Sequence, residues 1–122
     1  MDANSINLGV RFLLEVASLI SLGAWGWSLG EGNLKFIYAL AIPVFAMVMW
    51  GVFAVPNDPS RSGAAPIPVP GLIRLALEIS LFTVAIFSLI SIRQLTLAWM
   101  LGIVVSVHYI YSYERILWLL RQ

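Results

Sequence analysis

The chain of 122 residues has no cysteine, a single histidine, and charge on only 11% of its residues. Without cysteine there is no disulfide framework, thiolate zinc site or cysteine nucleophile. One histidine, His108, is too few for a histidine-rich metal site within one chain. The shortage of charge excludes more. Ordinary soluble domains are about 25% charged, and seven Lys/Arg with six Asp/Glu cannot cover a fold of this size in water. Neither sign dominates: the net charge is +1, which leaves no polybasic surface for nucleic acid. A phosphate-cradling glycine loop, a GxSxG elbow, an HExxH pair and a DDxxD motif are all missing. No metal and no bound cofactor is expected.

What the chain does have is apolar length. It is 61% hydrophobic, with a mean hydropathy of +0.93. Those values exclude disorder and predict a membrane protein. Uncharged runs cover 16–30, 36–57, 79–92 and 94–113. A span needs about 20 apolar residues, so the second and fourth runs suffice alone. The first and third reach that length only by extending back through Glu15 and Arg11, and through Glu78 and Arg74. The expected fold class is all-α, an integral membrane four-helix bundle forming a single transmembrane domain. Its helices are expected at 8–29, 34–55, 72–92 and 95–119, because lipid offers no partner to free backbone groups. Short turns at 30–33 and 93–94 and a proline-rich loop at 56–71 separate them. Pro43 is expected to kink the second helix. The first span follows Asp2, has no Lys/Arg before Arg11, and is too long in its apolar part for a signal peptide, so it is read as retained.

Arg11 and Glu15 recur as Arg74 and Glu78, each 63 positions later. Four alternating spans make helices one and three parallel, so the halves read as parallel-related hairpins. That topology gathers polar residues on one membrane side, face A: Arg11, Glu15, Trp50, Asn57, Asp58, Arg74, Glu78, His108, Tyr109, Tyr111, Tyr113, Glu114 and Arg115. Glu15 sits about 10 Å along its helix from Leu8 at a rise of about 1.5 Å per residue. That is deep for a short glutamate, and embedded ionisable groups usually face a bundle interior or a wet cavity. Helical phase aligns Asn7, Arg11, Glu15, Ser18 and Trp25 on one stripe, Arg74, Glu78, Ala85 and Ser88 on a second, and His108, Tyr111, Ser112 and Arg115 on a third. Gly23, Ala24, Gly26 and Gly51 are candidates for close helix contacts.

Carboxylates, arginines, a histidine and tyrosines in one apolar shell are competent for acid–base work. If Glu15 and Glu78 meet, the pair can hold and deliver one proton. His108 can relay it, Glu114 can assist, and Tyr111 can donate to developing negative charge. Arg11, Arg74, Trp25, Trp50, Tyr111 and Arg115 are the candidate substrate-binding groups. The plainer alternative is that the Arg–Glu pairs neutralise each other so that the helices insert. Tyr109 and Tyr113 read as interfacial aromatics.

The pieces Asn7-Leu8-x-x-Arg11-Phe12-x-Leu14-Glu15, Gly23-x-Trp25-Gly26, Trp50-Gly51-x-Phe53-x-x-Pro56, and Glu78 with Phe82 and Ala85 resemble the YrdB-like family of small bacterial membrane proteins. The resemblance covers about the first 90 residues. It implies a four-helix membrane protein and no settled activity. A weaker likeness, to small multidrug resistance transporters, rests on four spans, a short chain and an embedded glutamate in helix one. Glu78, the two arginines and the long central loop depart from that pattern.

Three functions follow as expectations. The first is a charged intramembrane pocket that binds a small lipophilic molecule and transforms it by acid–base chemistry, such as isomerisation, cyclisation or epoxide opening, without a cofactor. The second is a small proton-coupled transporter or channel-like homo-oligomer. The third is a non-catalytic membrane subunit. Five bases on face A against two on the other side (Lys35 and Arg93) predict cytoplasmic termini.

Overall fold

A computed structural model describes residues 3–56 and 65–122. Asn57 and Asp58, assigned above to face A, and Arg61, one of the five bases counted there, lie outside the described residues, as does the side chain of Asn7.

Five helices and one small ladder make up the described chain: α1 (Ala3–Leu29), α2 (Leu34–Val52), β1 (Phe53–Ala54), β2 (Ile67–Pro68), α3 (Gly71–Ser91), α4 (Leu95–Tyr111) and α5 (Tyr113–Leu120). Three helices are long and apolar enough to cross a membrane, over Leu8–Leu29, Leu34–Val52 and Gly71–Ser91. A fourth such length arises only if α4 and α5 count as one broken span, bent by 69°. The single helix expected over 95–119 is therefore two. Backbone bonding restarts at Ser112, whose carbonyl accepts from Arg115 at 3.0 Å and from Ile116 at 3.3 Å. α2 runs through Pro43 as one helix. It stops at Val52 rather than 55 because the next residues pair in parallel with the far side of the loop, Phe53 opposite Ile67 and Ala54 opposite Pro68. Ala54 and Val55 are buried there.

α1 packs against α2, α3 and α4, and α3 packs against α4 and α5. The core is Leu14 of α1, Phe82, Ala85 and Leu89 of α3, and Ala98 and Leu101 of α4. α2 buries no residue completely. Its outward face, with Phe36, Leu40, Val44 and Phe45, is apolar and exposed. In water such a surface would be a large sticky patch; against lipid it is in place.

Two glycines set how closely the helices approach. A Cβ on Gly26 would overlap the Tyr38 carbonyl, so α1 and α2 touch backbone to backbone. A Cβ on Gly71, the first residue of α3, would overlap the Leu119 carbonyl, so α5 rests directly on the start of α3. Gly51, expected above to be a contact glycine, has no other helix among the described residues within 4 Å of where a Cβ would stand.

Candidate functional site

The polar stripes of α1 and α3 converge on one carboxylate. Glu78 has no exposed surface, and donors from four helices surround it. Its Oε2 accepts from Arg11 Nη2 at 2.7 Å, Arg74 Nε at 3.0 Å and Arg115 Nη2 at 2.8 Å. Its Oε1 accepts from Arg115 Nη1 and from the Tyr109 hydroxyl, both at 2.9 Å. Arg115 is thus a bidentate fork, the geometry that guanidinium–carboxylate pairs favour. Five donors meet a group with about four lone-pair directions, so Glu78 is saturated.

Each arginine is committed further. Arg11 Nε donates to Glu15 Oε1 at 3.2 Å. Arg74 Nη1 donates to the carbonyls of Trp50, at 2.5 Å, and Phe53, at 2.7 Å. The Trp50 carbonyl belongs to the last turn of α2, where carbonyls have no intrahelical partner, so Arg74 closes that helix end with a cation. The Trp50 ring lies under both guanidiniums, 4.5 Å from Arg74 Cζ and 5.4 Å from Arg11 Cζ. Below them the rings of Trp50, Phe82, Tyr109 and His108 follow edge to face, with centroids 5.8, 6.1 and 5.7 Å apart in turn.

Of the residues singled out from sequence, Arg11, Glu15, Arg74, Glu78, Trp50 and Arg115 come together. Glu15 and Glu78 do not pair with each other, because the Arg11 guanidinium stands between them. The expected shared proton therefore has no carboxylate–carboxylate contact to occupy. His108 is 7% exposed and reaches the group only through its ring contact with Tyr109. Tyr111, at 75% exposure, and Glu114, exposed on the first turn of α5, point outward. On α5, Glu114 stands about 100° around the helix from Arg115, whose side chain takes the inward position. Trp25 stands fourteen residues along α1 from Arg11, about 21 Å at the helical rise, and shares nothing with the cluster.

Tyr109 is the residue that sequence reasoning misses. It was read as an interfacial aromatic, yet it donates to Glu78. Its signal was periodicity: it falls on the buried stripe of Ala98, Leu101 and His108. Removing the hydroxyl, in Tyr109→Phe, is expected to cost about 1.5–3 kcal/mol, the range for hydrogen bonds to charged groups. A reversible unfolding titration in mixed detergent measures it.

A small pocket of about 220 Å³ lies beside the cluster, between α1, α2 and α3. Glu15 and Trp50 form its polar wall, and Phe12, Val16, Met47 and Leu81 its apolar one. A wider groove of about 770 Å³ on the other side of α1 is almost wholly apolar, bounded by Leu13, Ala17, Leu97 and Leu101 among others. No three His, Asp or Glu side chains stand together as a metal site among the described residues.

Comparison with known proteins agrees with this composition and gives no activity. No solved structure matches the chain. It is 43% identical to the uncharacterized protein YrdB of Bacillus subtilis (strain 168) over 119 residues, covering 98% of this chain and 97% of that one. Residues 9–106 match the model of a family described as "Protein of unknown function (DUF2568)". The chain belongs to this family, whose matched region contains Arg11, Glu15, Trp50, Arg74 and Glu78 but ends before Tyr109 and Arg115.

Proposed function

We propose that this is a four-span integral membrane protein that binds a small lipophilic molecule, and that its arginine–glutamate cluster is a fixed joint of the bundle rather than an acid–base centre. The broken α4–α5 pair serves as the fourth span and its interfacial end. Both termini face the cytoplasm in this reading, from the arginine bias. The observation that carries it is the state of Glu78, sealed from solvent with both oxygens occupied. A general acid or base must come within hydrogen-bond reach of a reacting group, and Glu78 would first have to give up several charge-assisted bonds. The pocket walled by Glu15 and Trp50 supports the binding part, since it sets one polar group against an apolar lining.

The absence of native cysteine makes the topology directly measurable. Single cysteines in place of Gln122 and of Glu31, in the α1–α2 turn, are expected to react with a membrane-impermeant maleimide from opposite sides of sealed vesicles. Gln122→Cys reacts from the cytoplasmic side. Labelling of both from the same side contradicts the four-span reading.

A further inference from the structure

Glu15 uses only half of its carboxylate. Oε1 accepts from Arg11 Nε, while Oε2 has no hydrogen-bond donor among the described residues. The side chain is 24% exposed, and what it is exposed to is the pocket of about 220 Å³ shared with Trp50. The other members of that lining are apolar, and Phe12 and Met47 at its edge are outward-facing. An acceptor oxygen of an ion-paired carboxylate, left without a donor at this depth in an apolar layer, is an unmet demand.

We propose that this pocket holds the hydroxyl end of an uncharged long-chain alcohol, whose O–H donates to Oε2 of Glu15 while its hydrocarbon leaves past Phe12 and Met47 into the bilayer. This rests on the binding function inferred above and names its ligand class. Charge decides that class. A cationic amphiphile could pair with Glu15, but among the described residues the guanidiniums of Arg11, Arg74 and Arg115 already outnumber the carboxylates of Glu15 and Glu78, and two of them lie against the Trp50 ring at 5.4 and 4.5 Å. A further cation beside them is repelled, strongly so where the dielectric is low. An anionic headgroup meets the Glu15 carboxylate itself. An ether or a plain hydrocarbon leaves Oε2 unsatisfied. A hydroxyl supplies one donor for one open acceptor, and a hydrogen bond to a charged oxygen is among the stronger kinds. The wider groove across α1 has no ionisable residue in its lining, only the neutral Ser21 and Gln94 as polar members.

The test uses the full chain in lipid nanodiscs, with Trp25, Trp27, Trp99 and Trp118 replaced by Phe so that Trp50 reports alone. The probe is 2-bromodecan-1-ol, whose bromine sits beside the hydroxyl end and quenches indole fluorescence at contact. Saturable quenching is expected, and decanol is expected to displace the probe about tenfold better than decyl methyl ether does. In Glu15→Leu the two competitors should fall within about twofold of each other, because the acceptor is gone. If that variant does not fold, the alcohol-to-ether ratio on the unsubstituted pocket decides. Equal competition by the ether, or stronger competition by decyltrimethylammonium, overturns the alcohol assignment while lipophilic binding stands. Quenching that rises in proportion to probe without saturating overturns both.

Discussion

Glu78→Leu is expected to be the most damaging single substitution in the chain, with a loss of about 3–5 kcal/mol, the range for removing one partner of a buried ion pair. The size follows from what remains. Arg11, Arg74 and Arg115 all converge on this carboxylate at 2.7–3.0 Å, and without it three guanidiniums are left packed together inside the protein. Removing one arginine is milder. Arg115→Leu leaves Glu78 paired with Arg11 and Arg74, and costs less than the loss of the carboxylate. Glu78→Gln keeps two acceptor–donor contacts and falls between. Unfolding of each variant in mixed detergent should give that order. These losses come from breaking the cluster, not from its net worth, since proteins whose buried ion clusters are replaced whole by apolar residues are often no less stable.

The second large effect belongs to a residue with no side chain. Gly71→Val is expected to lever α5 off the start of α3, because the new Cβ would occupy the position of the Leu119 carbonyl. A backbone carbonyl cannot rotate out of the way as a flexible side chain can. Arg115 rides on α5 and would be drawn off Glu78 with it. Hydrogen exchange should quicken across Tyr113–Leu120, with a stability loss of roughly 1–3 kcal/mol from overpacking alone and more if the fork opens. Gly9→Ala is the control. Nothing among the described residues stands within 4 Å of its Cβ position, and alanine favours a helix interior by up to about 1 kcal/mol, so that variant should be neutral or slightly more stable.

Much of this architecture could be read from hydropathy and punctuation. The three long apolar helices begin and end near the expected breaks, because Gly30-Glu31-Gly32-Asn33 and the proline-rich loop interrupt helix locally. Arg11–Glu15 and Arg74–Glu78 were legible as pairs, since residues four apart on a helix are neighbours, and both pairs form through Nε of the arginine. What stayed hidden depends on how the helices are set against one another. No proline or glycine marks the bend at Ser112, so α4 and α5 read as one element, and Glu114 was placed in the site beside Arg115 although only Arg115 turns inward. The unequal fates of Glu15 and Glu78 were hidden for the same reason. Their local sequences are alike, yet one faces three other helices and the other a lateral pocket. The parallel pairing of Phe53–Ala54 with Ile67–Pro68 joins the two sides of a loop whose composition predicts only extended chain.

Glu78 and Arg115 act as one joint across α3 and α5. A double-mutant cycle built from Glu78→Leu, Arg115→Leu and the pair, followed by reversible unfolding, measures that directly. The expected coupling is roughly 1–3 kcal/mol, with the double variant less damaged than the sum of the singles. Additivity to within about 0.3–0.5 kcal/mol would mean that the two side chains do not hold each other, and the fixed joint would have to be abandoned.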